Sequence, residues 1–319
     1  MQVFLVTGGA GFIGSYICGK LLEQNKKVYC IDNFLTSSRS NIFPLLENPN
    51  FVFINHDLSK SLPEIDEKID GIFHFASPAS PNKKSARSYI NYPIETLLVN
   101  SCGTNNLLDL AMKNNGRFVY ASSSEIYGDP EVSPQVETYF GHVNPNGVRS
   151  CYDEAKRFGE AITMSYFRKH NVDTRIIRIF NTYGPRMQKD DGRVVTNFIN
   201  QALNGEPITV YGKGQQTRSF CYVDDLVSGV LRIMGNNDIK GEVINLGNPE
   251  EYKIIDIATK IKELTRTNSE IIYEELPEDD PKRRRPDISK AKRLLGFEPK
   301  LDLEKGLQKT IEYFRQEKS

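Results

Sequence analysis

The sequence predicts an α/β protein: a doubly wound parallel sheet followed by a smaller mixed α/β lobe at the C-terminal end. Three observations predict it. Short apolar runs alternate with longer helical patterns up to about residue 179, as expected for parallel strands joined by crossover helices. A glycine-rich turn, Thr7-Gly8-Gly9-Ala10-Gly11-Phe12-Ile13-Gly14, separates the first apolar run from the first helical pattern. After Asn181 the rhythm breaks into shorter, mixed elements without repeats or low-complexity linkers. One lobe therefore covers residues 1–180 and a second 181–319 of the 319-residue chain, which can bury about 75% of its unfolded surface.

Residues 2–6 read as the first strand, and the helical pattern after the glycine turn runs to about residue 25. A second apolar strand, 28–31, ends in Asp32. Strand, glycine turn, helix, strand and acid in this order form the fingerprint of a Rossmann-like dinucleotide site. Gly8, Gly11 and Gly14 let the backbone approach a pyrophosphate, the helix N-terminus faces its charge, and Asp32 accepts from the adenosine ribose. The spacing is a variant, Gly-x-x-Gly-x-x-Gly. Asp32 favours NAD over NADP, since a 2′-phosphate would meet a carboxylate; Arg39 is the nearby cation that argues the other way.

Further strand-like runs lie at 51–54, 71–75, 118–121 and Thr174–Ile179, with two long helical patterns, 93–114 and 151–170, among them. Ligands of a doubly wound sheet sit at the C-terminal strand ends. Here those ends are Asp57-Leu58, Ala76-Ser77-Pro78, Ser122 to Glu125 and Phe180-Asn181-Thr182. The smaller lobe then reads as a helix from about Arg193, strands at Ile208–Tyr211 and 219–223, and a helix to about Met234. A strand at Val243–Leu246, a helix, a strand at 271–273 and two terminal helices complete it.

Composition narrows the function. The formal net charge is zero, so no global field favours nucleic acid or an anionic membrane. No apolar run approaches 18 residues and the first strand starts at once, which predicts neither a membrane span nor a signal peptide. The five cysteines (18, 30, 102, 151 and 221) are scattered, as expected of buried thiols in a reducing, cytoplasmic setting. Four histidines show no metal spacing, so no metal is expected. Acidic residues at 274–280 offset the basic run 282–285, which reads as a solvated turn contributing one inward arginine.

The chemistry-bearing pattern is Ser122-Ser123-Ser124-Glu125 followed by Tyr152-Asp-Glu-Ala-Lys156. Tyrosine and lysine four residues apart share one helix face. A phenol serving as base at pH 7 needs about 4 kcal/mol of electrostatic help, roughly three pKa units. A neighbouring cation supplies part of it, and an oxidised nicotinamide more. Tyr16 and Lys20 show the same spacing, but on the first helix, away from any strand end.

These residues carry a family resemblance. HFASPASP (74–81), EIYGDPEVSPQ (125–135), GHVNPNGVRSCYDEAKR (141–157), RIFNTYGPRM (178–187), DGRVVTNFI (191–199), TVYGKGQQTRSF (209–220), NLGNPEE (245–251) and RRPDISKAKRLLGFEP (284–299) span nearly the whole chain. The sequence resembles the extended short-chain dehydrogenase/reductases, and among them the UDP-glucuronate decarboxylases (UDP-xylose synthases). The segment 82–92 is several residues longer than is typical there.

The resemblance implies that Tyr152, held by Lys156, takes the proton of the sugar C4 hydroxyl and that Ser123 shares that oxygen. Glu125 and Ser124 manage protons and water at C5, and Arg284 binds the carboxylate. Phe12, Ile13, Asn33, Asp57, Leu58, Ala76, Ser77, Asn100 and Thr182 join the glycines, Asp32, Tyr152 and Lys156 around NAD. Pro78, Asn181, Arg193, Asn197, Tyr211 and Arg218 join Arg284 around a UDP-sugar. A homodimer through the two long helices is implied as well. Nucleotide-sugar 4,6-dehydratases and C4 epimerases of the same group remain open, as does a catalytically silent NAD-binding regulator.

Overall fold

A computed structural model describes residues 1–276 and 283–317. Seven strands form one sheet: β1 (Val3–Thr7), β2 (Lys27–Asp32), β3 (Phe51–Asn55), β4 (Gly71–His74), β5 (Arg117–Ser123), β6 (Thr174–Ile179) and Val243–Leu246. Their spatial order is Val243–Leu246, β6, β5, β4, β1, β2, β3, and every pairing is parallel. The order reverses beside β1, the switch point at which such sheets open a crevice. Burial on both faces explains the nearly continuous apolar runs: Leu5, Val6, Ile72, Phe73, Val119 and Ile177 are fully buried.

Helix α1 (Phe12–Glu23) joins β1 to β2. The alternation expected between β2 and β4 is incomplete, because residues 33–50 hold only two 3-10 turns, Arg39–Asn41 and Phe43–Leu45. The 93–114 helix is interrupted: α2 (Pro93–Leu98) passes through a π-turn at Val99–Gly103 into α3 (Thr104–Asn114). The wide turn buries Asn100, which donates to Ser77 Oγ (2.9 Å) and accepts from the Tyr120 hydroxyl (2.8 Å). Helix α4 (Ser150–His170) ends at Asn171 in the left-handed region, with Arg168, Lys169 and His170 near its negative end.

Val243–Leu246, grouped by sequence with the smaller lobe, is instead an edge strand of the central sheet beside β6. Its apolar residues Ile244 and Leu246 are fully buried there, and the preceding helix Val223–Gly235 serves as the crossover. The single strand expected at 219–223 is two, Thr217–Ser219 and Cys221–Tyr222, because Val223 begins that helix with Asp224 and Asp225 in its first turn.

The rest of the C-terminal half supplies small sheets, whose residues Thr209, Tyr211 and Arg218 line one cleft together with Asn181 and Thr182. Ile208–Tyr211 pairs in parallel with Ile271–Glu274. Thr217–Ser219 lies between Glu251–Lys253 and Arg283–Arg284, in a register that sets Arg284 beside Arg218. Among the described residues no helix is long and apolar enough to cross a membrane.

Candidate active site

The glycine turn is shaped by contacts a side chain would prevent. Gly8 has φ +68°, and a Cβ there would come within 2.8 Å of the Phe75–Ala76 backbone. A Cβ on Gly14 would lie 2.2 Å from the Gly8 carbonyl oxygen, so the helix can pack onto the turn only without one. Asp32, at the end of β2, accepts from Ala10 N (3.0 Å), Phe34 N (2.9 Å) and Ser37 Oγ (2.7 Å). Burial lifts its carboxyl above the ordinary value against these hydrogen bonds.

Three clefts run end to end along the strand termini. The first is lined by Gly8, Gly11, Asp32, Asn33, Asp57, Leu58, Ala76, Ser77 and Pro78. It offers a tight backbone turn, a carboxylate at the β2 end and an apolar wall of Ile31, Leu35, Leu58 and Val99, which fits a dinucleotide. No arginine or lysine is among its described lining residues, and Arg39 is exposed on its 3-10 turn, so a 2′-phosphate finds no cation on that wall. Phe12, Gly14 and Asn100 stand outside its lining, whereas Ile13 and Thr182 line the second cleft.

The second cleft holds Ser123, Ser124, Glu125, Tyr152 and Lys156, and shares Phe75 and Ser77 with the first. Strand β5 delivers Ser123, whose Oγ accepts from Glu125 N (3.2 Å) and so fixes the turn carrying the carboxylate. Lys156 Nζ lies 5.7 Å from the Tyr152 ring centre and donates to the Ala121 carbonyl (2.9 Å). Burial pushes the Tyr152 phenol up to about 12, although a hydrogen bond with Ser123 and the nearby Arg193 pull it down. Burial also brings Lys156 down to about 7.

The other tyrosine–lysine pair is occupied elsewhere. Tyr16 donates to Pro185 O (3.3 Å) and Lys20 pairs with Glu23 on the surface (2.8 Å). The Cys151 thiol is pushed up by burial and donates to Tyr89 O (3.6 Å), so it is no thiolate nucleophile.

Glu125 is gripped by two guanidinium groups. Arg284 Nη1 donates to Glu125 Oε1 (2.8 Å) and Ser124 Oγ (3.1 Å), while its Nη2 donates to Gly128 O (2.9 Å). Arg149 holds the other carboxylate oxygen. Burial raises the Glu125 pKa, but Arg284, Arg149 and Arg218 outweigh it and set the carboxyl at about 2. Arg284 is 2% exposed and stands behind Ser124 and Glu125, outside the cleft lining. Arg283 faces solvent and pairs with Glu251 (2.8 Å), whereas Arg285 donates to Pro249 O (2.9 Å). Of the acidic and basic runs beside them, 277–280 and Lys282 lie outside the described residues.

The third cleft, ≈ 780 Å³, contains Asn181, Arg193, Asn197, Tyr211 and Arg218 and shares Glu125, Arg149, Asn181 and Arg193 with the second. Arg193 caps helix Val194–Asn204 and pairs with Asp191 (3.2 Å). Pro78, expected with this group, lines the first cleft instead.

Sequence reasoning missed Arg149, Tyr89 and Asp153. Arg149 and Tyr152 are three residues apart at the start of α4, a spacing that puts both on one face and was readable. Tyr89 stacks on Tyr152, ring centres 4.8 Å apart and 10° from parallel. Asp153 is buried, and burial followed by Glu125 lifts it to about 7.

The model of a protein family described as GDP-mannose 4,6 dehydratase matches residues 5–310. The chain belongs to that family. It sits within the extended short-chain dehydrogenase/reductases. UDP-glucuronic acid decarboxylase 1 of Xenopus tropicalis is 50% identical over 313 residues, which is 98% of this chain and 72% of that protein. UDP-glucuronic acid decarboxylase 3 of Arabidopsis thaliana is 49% identical over 312 residues, 98% of this chain and 88% of that protein. Among solved structures, UDP-glucuronic acid 4-epimerase from Bacillus cereus, in complex with UDP-glucuronic acid and NAD, superposes with TM-score 0.86 at 30% identity over 99% of each chain.

Proposed function

We infer that this chain is a UDP-glucuronate decarboxylase that uses NAD, forming UDP-xylose and carbon dioxide through a 4-keto sugar, with hydride returned to C4. One observation carries the reading: a carboxylate, Glu125, held ionised between Arg284 and Arg149 beside Ser123, Tyr152 and Lys156. The near-50% identity to proteins named decarboxylases supports it.

Bound NAD supplies the hydride acceptor and donor for C4 and, when oxidised, a positive charge. The glycine turn, Asp32 and the Asp57–Leu58 and Ala76–Ser77 ends would hold it. Tyr152 takes the C4 hydroxyl proton, and Ser123 holds the same oxygen. Because burial keeps the phenol near 12, ionisation depends on positive charge gathered in this cleft, to which Lys156 contributes when protonated. The C4 ketone is β to the C6 carboxylate, so the C5–C6 bond electrons pass into a C4–C5 enolate as carbon dioxide leaves. Glu125 and Ser124 order water at C5, where the carbon regains a proton, and Tyr152 returns its own to O4. The net reaction consumes one proton and leaves NAD unchanged.

Residues 1–180 are assigned mainly to the cofactor and 181–319 mainly to the UDP-sugar, with Asn181, Arg193, Asn197, Tyr211 and Arg218 contacting the latter. The chain is read as a homodimer. Exposed Ile94 on α2 and Phe158 on α4, together with partly exposed Leu97 and Leu98, give an apolar face to cover. Five free cysteines support a reducing compartment such as the cytoplasm. The test is incubation with UDP-glucuronate, UDP-glucose and GDP-mannose, products being followed by mass. Loss of carbon dioxide from UDP-glucuronate alone is expected; loss of water from a neutral sugar nucleotide overturns the reading.

A further inference from the structure

Three arginines in a row, Arg283-Arg284-Arg285, pose a register problem. Arg284 grips Glu125, whereas Arg283 pairs with Glu251 and Arg285 donates to Pro249 O. A slip of one residue turns a strand's side chains to the other face, and here it would offer Glu125 the wrong arginine. The strand that sets the choice is two residues long, Arg283 against Thr217 and Arg284 against Arg218. Pro286 follows at once and has no N–H with which to extend it.

Two side chains from elsewhere in the chain take hold of this backbone. Ser219 Oγ donates to the Arg284 carbonyl (3.1 Å). Gln135, 0% exposed, holds both polar groups of the Arg285 backbone: its N donates to Arg285 O (2.8 Å) and its Oε1 accepts from Arg285 N (2.8 Å). The two ends of the Gln135 amide are not interchangeable, because Nε2 donates to Val132 O (2.6 Å) while Oε1 meets an N–H. Its carbonyl accepts from Asp287 N (2.8 Å) and from Asn245 Nδ2 (3.0 Å). Asn245 Oδ1 in turn accepts from the Tyr127 hydroxyl (2.8 Å), in the turn that carries Glu125. Glu125 and Gly128, at one end of the segment 125–135, thus take the Arg284 guanidinium, and Gln135, at the other end, takes the backbone beside it.

We propose that Gln135 is a positioning residue of the active site: with Ser219, it fixes the register of residues 283–285 so that the Arg284 guanidinium, and not a neighbour's, meets Glu125. The proposal rests on the decarboxylase reading for the step that Arg284 serves.

The test is a double-mutant cycle on the NAD-loaded enzyme. Gln135→Met, which keeps the side-chain length and removes the amide, is made alone and together with Arg284→Ala. The kcat and KM for carbon dioxide release from UDP-glucuronate are measured per bound NAD, and thermal melting checks the fold. Positioning predicts kcat lowered about 5- to 30-fold with KM little changed, because Arg284 is not among the residues lining the clefts. Once Arg284 is alanine, the further loss should stay within about twofold. An equal loss in both backgrounds, or wild-type kcat in Gln135→Met, overturns the proposal. Ser219→Ala, which deletes one hydroxyl, goes through the same cycle and decides on the same criterion where Gln135→Met does not fold. A crystal structure of Gln135→Met gives a readout independent of turnover: Arg284 Nη1 is expected away from Glu125 Oε1, and an unmoved Arg284 overturns the proposal. Wild-type protein that releases no carbon dioxide removes the decarboxylase reading, and that structure still decides Gln135.

Discussion

Replacing Arg284 with alanine removes three hydrogen bonds at once, to Ser124 Oγ, Glu125 Oε1 and Gly128 O. Breaking a buried pair by deleting one partner typically costs about 3–5 kcal/mol. Here Arg149 still holds Glu125, and the Glu125 side chain is 21% exposed. The loss should therefore fall below that range, at about 2–3 kcal/mol, or about 30- to 150-fold in carbon dioxide release. NAD content should be unchanged, since Arg284 is not among the residues lining the first cleft. Acid sensitivity should change too. Glu125 sits at about 2 against an ordinary 4.5, so its pairing stabilises the protein fully above pH 4.5 and is lost as pH falls through 2. Without Arg284 that loss begins at higher pH, and the acid unfolding midpoint rises. Trapped carbon dioxide, extracted NAD and circular dichroism against pH supply the readouts. Arg283→Ala is the control, because Arg283 faces solvent on Glu251. Wild-type turnover in Arg284→Ala, or loss of NAD with activity, would refute the reasoning.

Three other outcomes follow from the same geometry. Tyr152→Phe should lower turnover by about 10²–10⁴-fold while UDP binding persists, measured by product mass and calorimetry. Gly8→Ala forces a side chain into a φ of +68° and against the Phe75–Ala76 backbone; about 1–3 kcal/mol of stability and most bound NAD should be lost, as melting and absorbance would record. On the homodimer reading, the double change Leu98→Glu with Phe158→Glu should leave monomers by light scattering, because both are exposed apolar side chains, one on α2 and one on α4.

What the sequence made legible was local. The strands of the first half, the glycine turn with Asp32, and Tyr152 with Lys156 follow from periodicity and fixed spacing along one chain segment. The features that escaped depend on contacts distant in sequence. Helix 93–114 reads as continuous, yet Asn100 reaches Ser77 and Tyr120 and opens a π-turn. Val243–Leu246 reads only as an apolar strand; its place beside β6 depends on the crossover helix before it. Arg284 stands out as one of three arginines, but the short pairing with Thr217–Ser219 is what turns it inward and Arg283 outward. Tyr89 carries no motif, and its stack on Tyr152 is made from a loop whose length no periodicity sets.

The central claim is that hydride leaves C4 and returns to it while carbon dioxide departs from C6. UDP-glucuronate deuterated at C4, incubated with the wild-type protein in ordinary water and followed by mass and NMR, tests this directly. The account predicts UDP-xylose that keeps the deuterium at C4, one carbon dioxide per product, and no steady rise in absorbance at the NADH wavelength. Deuterium lost from C4, or a product that retains its carboxylate, would contradict it.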